Sequence, residues 1–164
     1  MKYYGKSSLS SFLKTVMDLL LIIAPLVFIT VFVLSIINGE GDIFNLKNVV
    51  TGILYIIGGS SLLCILYSLR NIIASLVDSN PFISKNVHRL KNIAVSCFLV
   101  SGCYVLNFFI NQQFKDFKFI FIDSSGIHTD IEFLIFFFTG CFILILSKVF
   151  KQAIDAKEEN DFTI

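Results

Sequence analysis

The chain has 164 residues, with 13 Lys and Arg against 12 Asp and Glu, a net charge of +1, 55% hydrophobic residues and only 15% charged ones. A soluble domain carries about 25% charged residues and about 45–50% apolar ones, so this composition, with a mean hydropathy of +0.82, excludes an ordinary soluble domain. The near-zero net charge also excludes a nucleic-acid binder working through a basic face.

Charge-free runs set the predicted elements in chain order. Leu19–Gly39, Asn48–Leu69 and Asn92–Phe114 are each free of charged residues. Each meets the requirement of about 20 apolar residues for a helix that crosses a bilayer. Phe133–Ser147 is shorter, but Ile131, Val149 and Phe150 extend it, and Lys148 can snorkel to the surface on its aliphatic stem. The expected spans are residues 16–37, 49–69, 93–112 and 131–150, followed by a tail over 151–164. The fold class is all-α, a four-helix integral membrane bundle forming a single domain.

The first span follows Lys2, Lys6 and Lys14, as a signal peptide would. Its apolar run exceeds the 7–15 residues usual in such segments, so a retained helix is expected. Lys14 and Asp18, four apart, are expected to pair on one face, and Pro25 should kink the span. The second span contains Gly58-Gly59-Ser60-Ser61, and the third contains Cys97, Ser101 and Gly102. Small side chains let membrane helices approach closely, so Gly58, Gly59, Ser60, Ser101 and Gly102 are expected to pack span two against span three.

Between those spans runs "RNIIASLVDSNPFISKNVHRLKNI". Leu69, Ile72, Ile73 and Leu76 continue the second helix with one apolar face. Asp78 to Pro81 should stop it, with Ser84 as the next N-cap. Lys85, His88, Arg89 and Lys91 remain on the surface. They form either an anchor on anionic lipid head groups or a docking surface for an acidic partner. After span three, Phe117, Phe119 and Phe121 alternate with Lys118 and Ile120 before Ser124-Ser125-Gly126, the pattern of a small extended or hairpin segment.

Past span four, Phe150, Ala153, Ile154 and Lys157 continue one helix face. Acids at a helix C-terminus oppose its dipole, so fraying is expected near Glu158–Asn160. In an extended tail Phe162 and Ile164 would point one way and Asp161 and Thr163 the other. Such a strand can dock on the protein's own hairpin, with Glu158 and Glu159 near Arg89 and Lys91, or add to a partner.

Lys and Arg set the orientation. With the N-terminus inside, the inner face carries Lys2, Lys6, Lys14, Arg70, Lys85, Arg89, Lys91, Lys148, Lys151 and Lys157. The outer face carries only Lys47, Lys115 and Lys118. Both termini are therefore expected in the cytoplasm. Catalytic machinery inside a bilayer normally needs a buried charge, and none lies at mid-span. No phosphate loop, nucleophile elbow or HExxH motif occurs. Asn107 is the one strong amide within a span. Cys64, Cys97, Cys103 and Cys141 fall inside spans and read as small hydrophobes. No enzyme, metal or cofactor is expected.

Two stretches carry a resemblance: "NPFISKNVHRLKNI", through Asn80, Pro81, Phe82, Asn86, Arg89, Leu90 and Ile93, and the C-terminal Glu158, Glu159, Asp161, Phe162, Thr163 and Ile164. Together they resemble a bacterial family of small four-span membrane proteins of unknown function, whose genes often lie beside one for a small Cro-like helix-turn-helix protein. The resemblance implies a multi-pass protein of the bacterial cytoplasmic membrane with a non-enzymatic regulatory role, holding a small helix-turn-helix DNA-binding protein at its cytoplasmic face. Docking would use Asn80, Pro81, Phe82, Asn86, Arg89, Lys91, Glu158, Glu159, Asp161, Phe162 and Ile164. The alternative is a small transporter, export accessory or immunity protein acting within the bilayer. The sequence leaves the oligomeric state open.

Overall fold

The computed structural model describes residues 8–38, 45–111, 118–123 and 126–161. Ser124, Ser125, Phe162, Thr163 and Ile164 lie outside the described residues, so the expected extended tail does too. The elements are helices α1 (Leu9–Asn38), α2 (Leu46–Val77) and α3 (Ser84–Ile110), strands β1 (Phe121–Asp123) and β2 (Gly126–His128), and helix α4 (Glu132–Asp161). All four helices are long and apolar enough to cross a membrane. The shortest, α3, has 27 residues. At about 1.5 Å per residue it measures about 40 Å, more than the roughly 30 Å hydrocarbon core.

The helices form a row. Among the described residues, Cα atoms of different helices come within 8 Å only between chain neighbours: α1 with α2, α2 with α3, and α3 with α4. The expected bundle is therefore an open layer of three antiparallel pairs. Its interior is thin, and α3, flanked on both sides, holds most of it: Val87, Leu90, Ile93, Ala94, Cys97 and Val100 are buried there. Large side chains on the outer helices, such as Ile22 and Leu26 of α1 and Phe142 of α4, are mostly exposed, as suits faces turned to lipid.

A seven-residue repeat organises the seams. On α2 the buried residues include Ser61, Ser68 and Ser75; on α3, Val87, Ala94 and Ser101; on α4, Gly140, Ser147 and Ile154. This period keeps one face toward a neighbour when helices cross at a shallow left-handed angle. Small residues at many of these positions bring backbones close enough for side chains to bond carbonyls across the seam. Ser147 Oγ donates to Val87 O at 3.3 Å, and Ser101 Oγ to Phe133 O at 2.9 Å.

Local signals explain the ends. Asn45 caps α2, its side chain accepting from the Lys47 N–H at 3.1 Å. The other end of α2 closes with Ser79 N–H on Leu76 O and Asn80 N–H on Ser75 O, while Ser79 sits at φ 56°. These are the two reversed bonds of a Schellman closure, whose left-handed residue is usually Gly. Helix α3 starts at Ser84 with Ile83 as its cap and no side-chain capping bond. Ser84 is thus the first helical residue and not the cap. The segment before it is pinned from inside by Asn86, which fixes where the turn begins.

Helix α1 is continuous through Pro25. Two further expectations are corrected. The Asp18 carboxylate meets Arg70 of α2 at 2.6 Å and not Lys14 of its own helix. Helix α4 stays helical through Glu158–Asn160 to Asp161. Lys151, Gln152, Ala153, Ala156, Lys157, Glu158 and Glu159 are all strong helix formers, and their summed propensity outweighs the unfavourable dipole term of a few tenths of a kcal/mol to about 1 kcal/mol. The expected hairpin between α3 and α4 forms: β1 and β2 pair antiparallel, with Ile122 opposite Ile127. Its base is tied by Lys118 N–H to Asp130 Oδ2 at 2.9 Å and Thr129 Oγ1 to Phe119 O at 2.7 Å.

Candidate functional site

At the end of the row where α2 turns into α3, a chain of polar groups joins three helices. Asn86, with 0% of its surface exposed, lies at its centre. Its Nδ2 donates to Ser75 Oγ and to Pro81 O, both at 2.7 Å, and its Oδ1 accepts from Arg89 Nη1 at 2.8 Å. Ser75 Oγ donates to Ile72 O at 2.6 Å. Arg89 Nη1 also donates to Asn71 O at 2.9 Å. The Asn71 side chain accepts from Arg70 Nη1 at 3.2 Å, and Arg70 Nε reaches Asp18 at 2.6 Å. A buried amide with partners for both hydrogens and its oxygen escapes the desolvation penalty of an unmet polar group. The network therefore fixes the loop over residues 78–83 without an exposed anchor.

The predicted docking residues divide accordingly. Asn80 and Phe82 are exposed at the loop, Pro81 is half-buried, and Lys91 is exposed on α3. The Phe82 ring lies 5.6 Å from that of Phe150 on α4, tilted by 30°, so loop and α4 share an aromatic contact. Asn86 is not a docking residue, because it has no exposed surface and all its hydrogens are bonded inside. Arg89 is half-buried, with one nitrogen turned inward. Glu158 and Glu159 are exposed on α4, about 12 Å along the axis past Phe150 at 1.5 Å per residue. They ride on a helical extension that ends at Asp161; Phe162 and Ile164 fall outside the described residues.

The predicted packing residues also divide. Gly58 faces α3, where an added Cβ would sit 3.7 Å from the Cys103 Cβ. Gly59 faces α1, where a Cβ would run into the Phe28 ring. That ring stacks on Tyr55 at 4.9 Å, and the Tyr55 hydroxyl donates to Phe28 O at 3.2 Å. Ser60 is exposed and bonded to Ile57 O. Ser101 faces α4 through its bond to Phe133 O, and a Cβ on Gly102 would meet nothing within 4 Å. Beside Gly58, α2 buries Ser61, Ser68 and Ser75 at intervals of seven, and Ser75 bonds to Asn86 of α3. Their spacing of seven was the available signal, and adjacency in "GGSS" obscured it.

Near the other end, a half-open cavity of about 370 Å³ lies among α1, α2 and α3, bordered by Phe28, Tyr55, Gly58, Gly59, Cys103 and Asn107. Among the described residues Asn107 bonds only along its own helix, its Oδ1 accepting from Asn111 Nδ2 at 2.8 Å, one turn along α3. Cys64, Cys97, Cys103 and Cys141 are free thiols. Among the described residues, no three His, Cys, Asp or Glu side chains come together as a metal-ligand set.

Residues 40–164 match the model of a family described as a protein of unknown function (DUF2975). The match takes in α2, α3, the hairpin and α4, together with the residues beyond α4. No curated protein and no solved structure matches the chain.

Proposed function

The chain belongs to this family of proteins of unknown function, and on that basis we propose that it is a non-enzymatic multi-pass membrane protein that presents a docking surface to a soluble partner at one end. The observation that carries this reading is the root of α4. The helix continues past Phe150 to Asp161 with its surface largely exposed, while Phe82 and Val87 hold its base against the loop and α3. A preformed helix next to a pinned loop costs little conformational entropy when a partner binds.

Charge supports both the side of the membrane and the partner. Antiparallel pairing gathers Lys14, Arg70, Lys85, Arg89, Lys91, Lys148 and Lys151 at the end of the row bearing the loop, while Lys47 and Lys118 belong to the other end. The positive-inside bias puts the loop, both termini and the α4 extension in the cytoplasm of a bacterial cell. Exposed Glu158 and Glu159 offer acids to a basic DNA-binding surface, in keeping with the small helix-turn-helix regulator that the family resemblance implies as partner.

Fractionation tests this reading. A small helix-turn-helix protein of the kind the family resemblance implies, co-expressed with the full chain, should sediment with membranes. Removing Glu158–Ile164 should return it to the soluble fraction while the truncated chain still inserts. Equal partition with both forms overturns the docking role. The cavity among α1, α2 and α3 favours the second reading, a transporter, export accessory or immunity protein acting within the bilayer. There, filling the cavity with Cys103→Phe should abolish function and deletion of the tail should not.

A further inference from the structure

We propose that Arg89, with Arg70 beside it, binds the phosphate of an anionic phospholipid at the boundary of the membrane. Arg89 spends Nη1 on Asn71 O and Asn86 Oδ1. Its Nε–Nη2 edge, the two-pronged side of a guanidinium, has no partner among the described residues. Buried side-chain nitrogens and oxygens among those residues all have partners, so this open edge reaches the surface.

Arg70 differs. Its Nε is taken by Asp18 and its Nη1 by the Asn71 side chain. Both arginines thus bond to the same residue, Asn71, and sit at one level of the α2–α3 pair. One of the two positive charges is balanced by Asp18, and the described residues supply no carboxylate for the other. Exposed Lys85, one turn before Arg89, adds a further cation on the same helix.

A phosphate matches the paired N–H groups of a guanidinium edge, and an edge held by two inward bonds loses little rotamer entropy when it engages. Depth selects a lipid as the source. Arg70 directly follows the charge-free run Asn48–Leu69, and Arg89 stands three residues before the run that begins at Asn92. Both therefore lie where apolar spans end, at the level of lipid head groups. A zwitterionic head group would bring its own cation against Arg70, Arg89 and Lys85, so an anionic one is preferred.

The site rests on the membrane-spanning reading and not on the docking role. Membrane fractionation tests the spanning reading first: a chain found in the soluble fraction fails that reading before any lipid is added. Full-length protein in detergent is then titrated with phosphatidylglycerol, phosphatidylcholine or inorganic phosphate, with lipid adducts read by native mass spectrometry and the thermal midpoint followed in parallel. Phosphatidylglycerol should bind about tenfold more tightly than phosphatidylcholine, whose choline cation is repelled by Arg70, Arg89 and Lys85. Arg89→Gln should erase that preference. Arg89→Lys, which keeps the charge but lacks the fork, should weaken it, and it also serves if the Gln variant does not fold. Lys47→Gln, at the opposite end, should leave it unchanged. A preference that survives both Arg89 substitutions overturns the site, as does equal stabilisation by inorganic phosphate alone.

Discussion

Asn86 and Ser79 show how much one side chain can decide at the loop. Asn86→Ala leaves Ser75, Pro81 and Arg89 without their shared partner. Unmet buried polar groups cost about 1–3 kcal/mol each, so the substitution should lower stability by about 2–3 kcal/mol, seen as a fall in thermal midpoint in detergent. Ser79 stands at φ 56°, a conformation that costs an L-residue roughly 1–2 kcal/mol and glycine almost nothing. Ser79→Gly should therefore raise the midpoint, and a fall would mean that the Ser79 side chain contributes something its backbone does not reveal. The motif "NPF…N…RL" marked this loop in the sequence, but it could not tell inward residues from outward ones. Asn86 and Phe82 look equally available on paper. Only the fold shows that Asn86 is enclosed by Ser75 and the Pro81 carbonyl.

Among the helices, neighbouring glycines have opposite roles. Gly59→Ala drives a Cβ into Phe28 and disturbs its stacking on Tyr55; overpacking of this kind costs about 1–3 kcal/mol. Gly58→Ala meets ordinary contact with Cys103, and Gly102→Ala meets nothing within 4 Å. The Gly102 change should be neutral or stabilising by up to about 1 kcal/mol, the helix propensity difference. Thermal midpoints of the three variants in one detergent check the order. If Gly59→Ala and Gly58→Ala fall equally, the assignment of Gly59 to the α1 seam is wrong. The existence of four helices was plain from the charge-free runs, since hydrophobicity alone sets membrane spans. Which small residue meets which helix was not, because lipid-facing and helix-facing positions are equally apolar here. The end of α4 is not legible from the helix dipole alone, because the helix propensity of the residues around it outweighs that term.

Taken whole, the molecule puts four antiparallel helices in a row, so the start of α1 and the end of α4 lie at the same end. Cysteines introduced near Lys14 and Lys157 should react with an impermeant thiol reagent from the same side of the membrane, and one at Thr129 of the hairpin from the other. Labelling of all three from one side overturns the topology. The sequence carried the span number and the charge asymmetry behind this arrangement. It carried no sign that the row stays open, because closure depends on contacts between helices distant in the chain, which leave no mark on any one span. The open row has a consequence for biogenesis. Every seam joins a helix to the one made just before it, so each can form as soon as its second helix leaves the ribosome. Assembly can keep pace with translation, and the low contact order that favours rapid folding is built in from the first hairpin to the last.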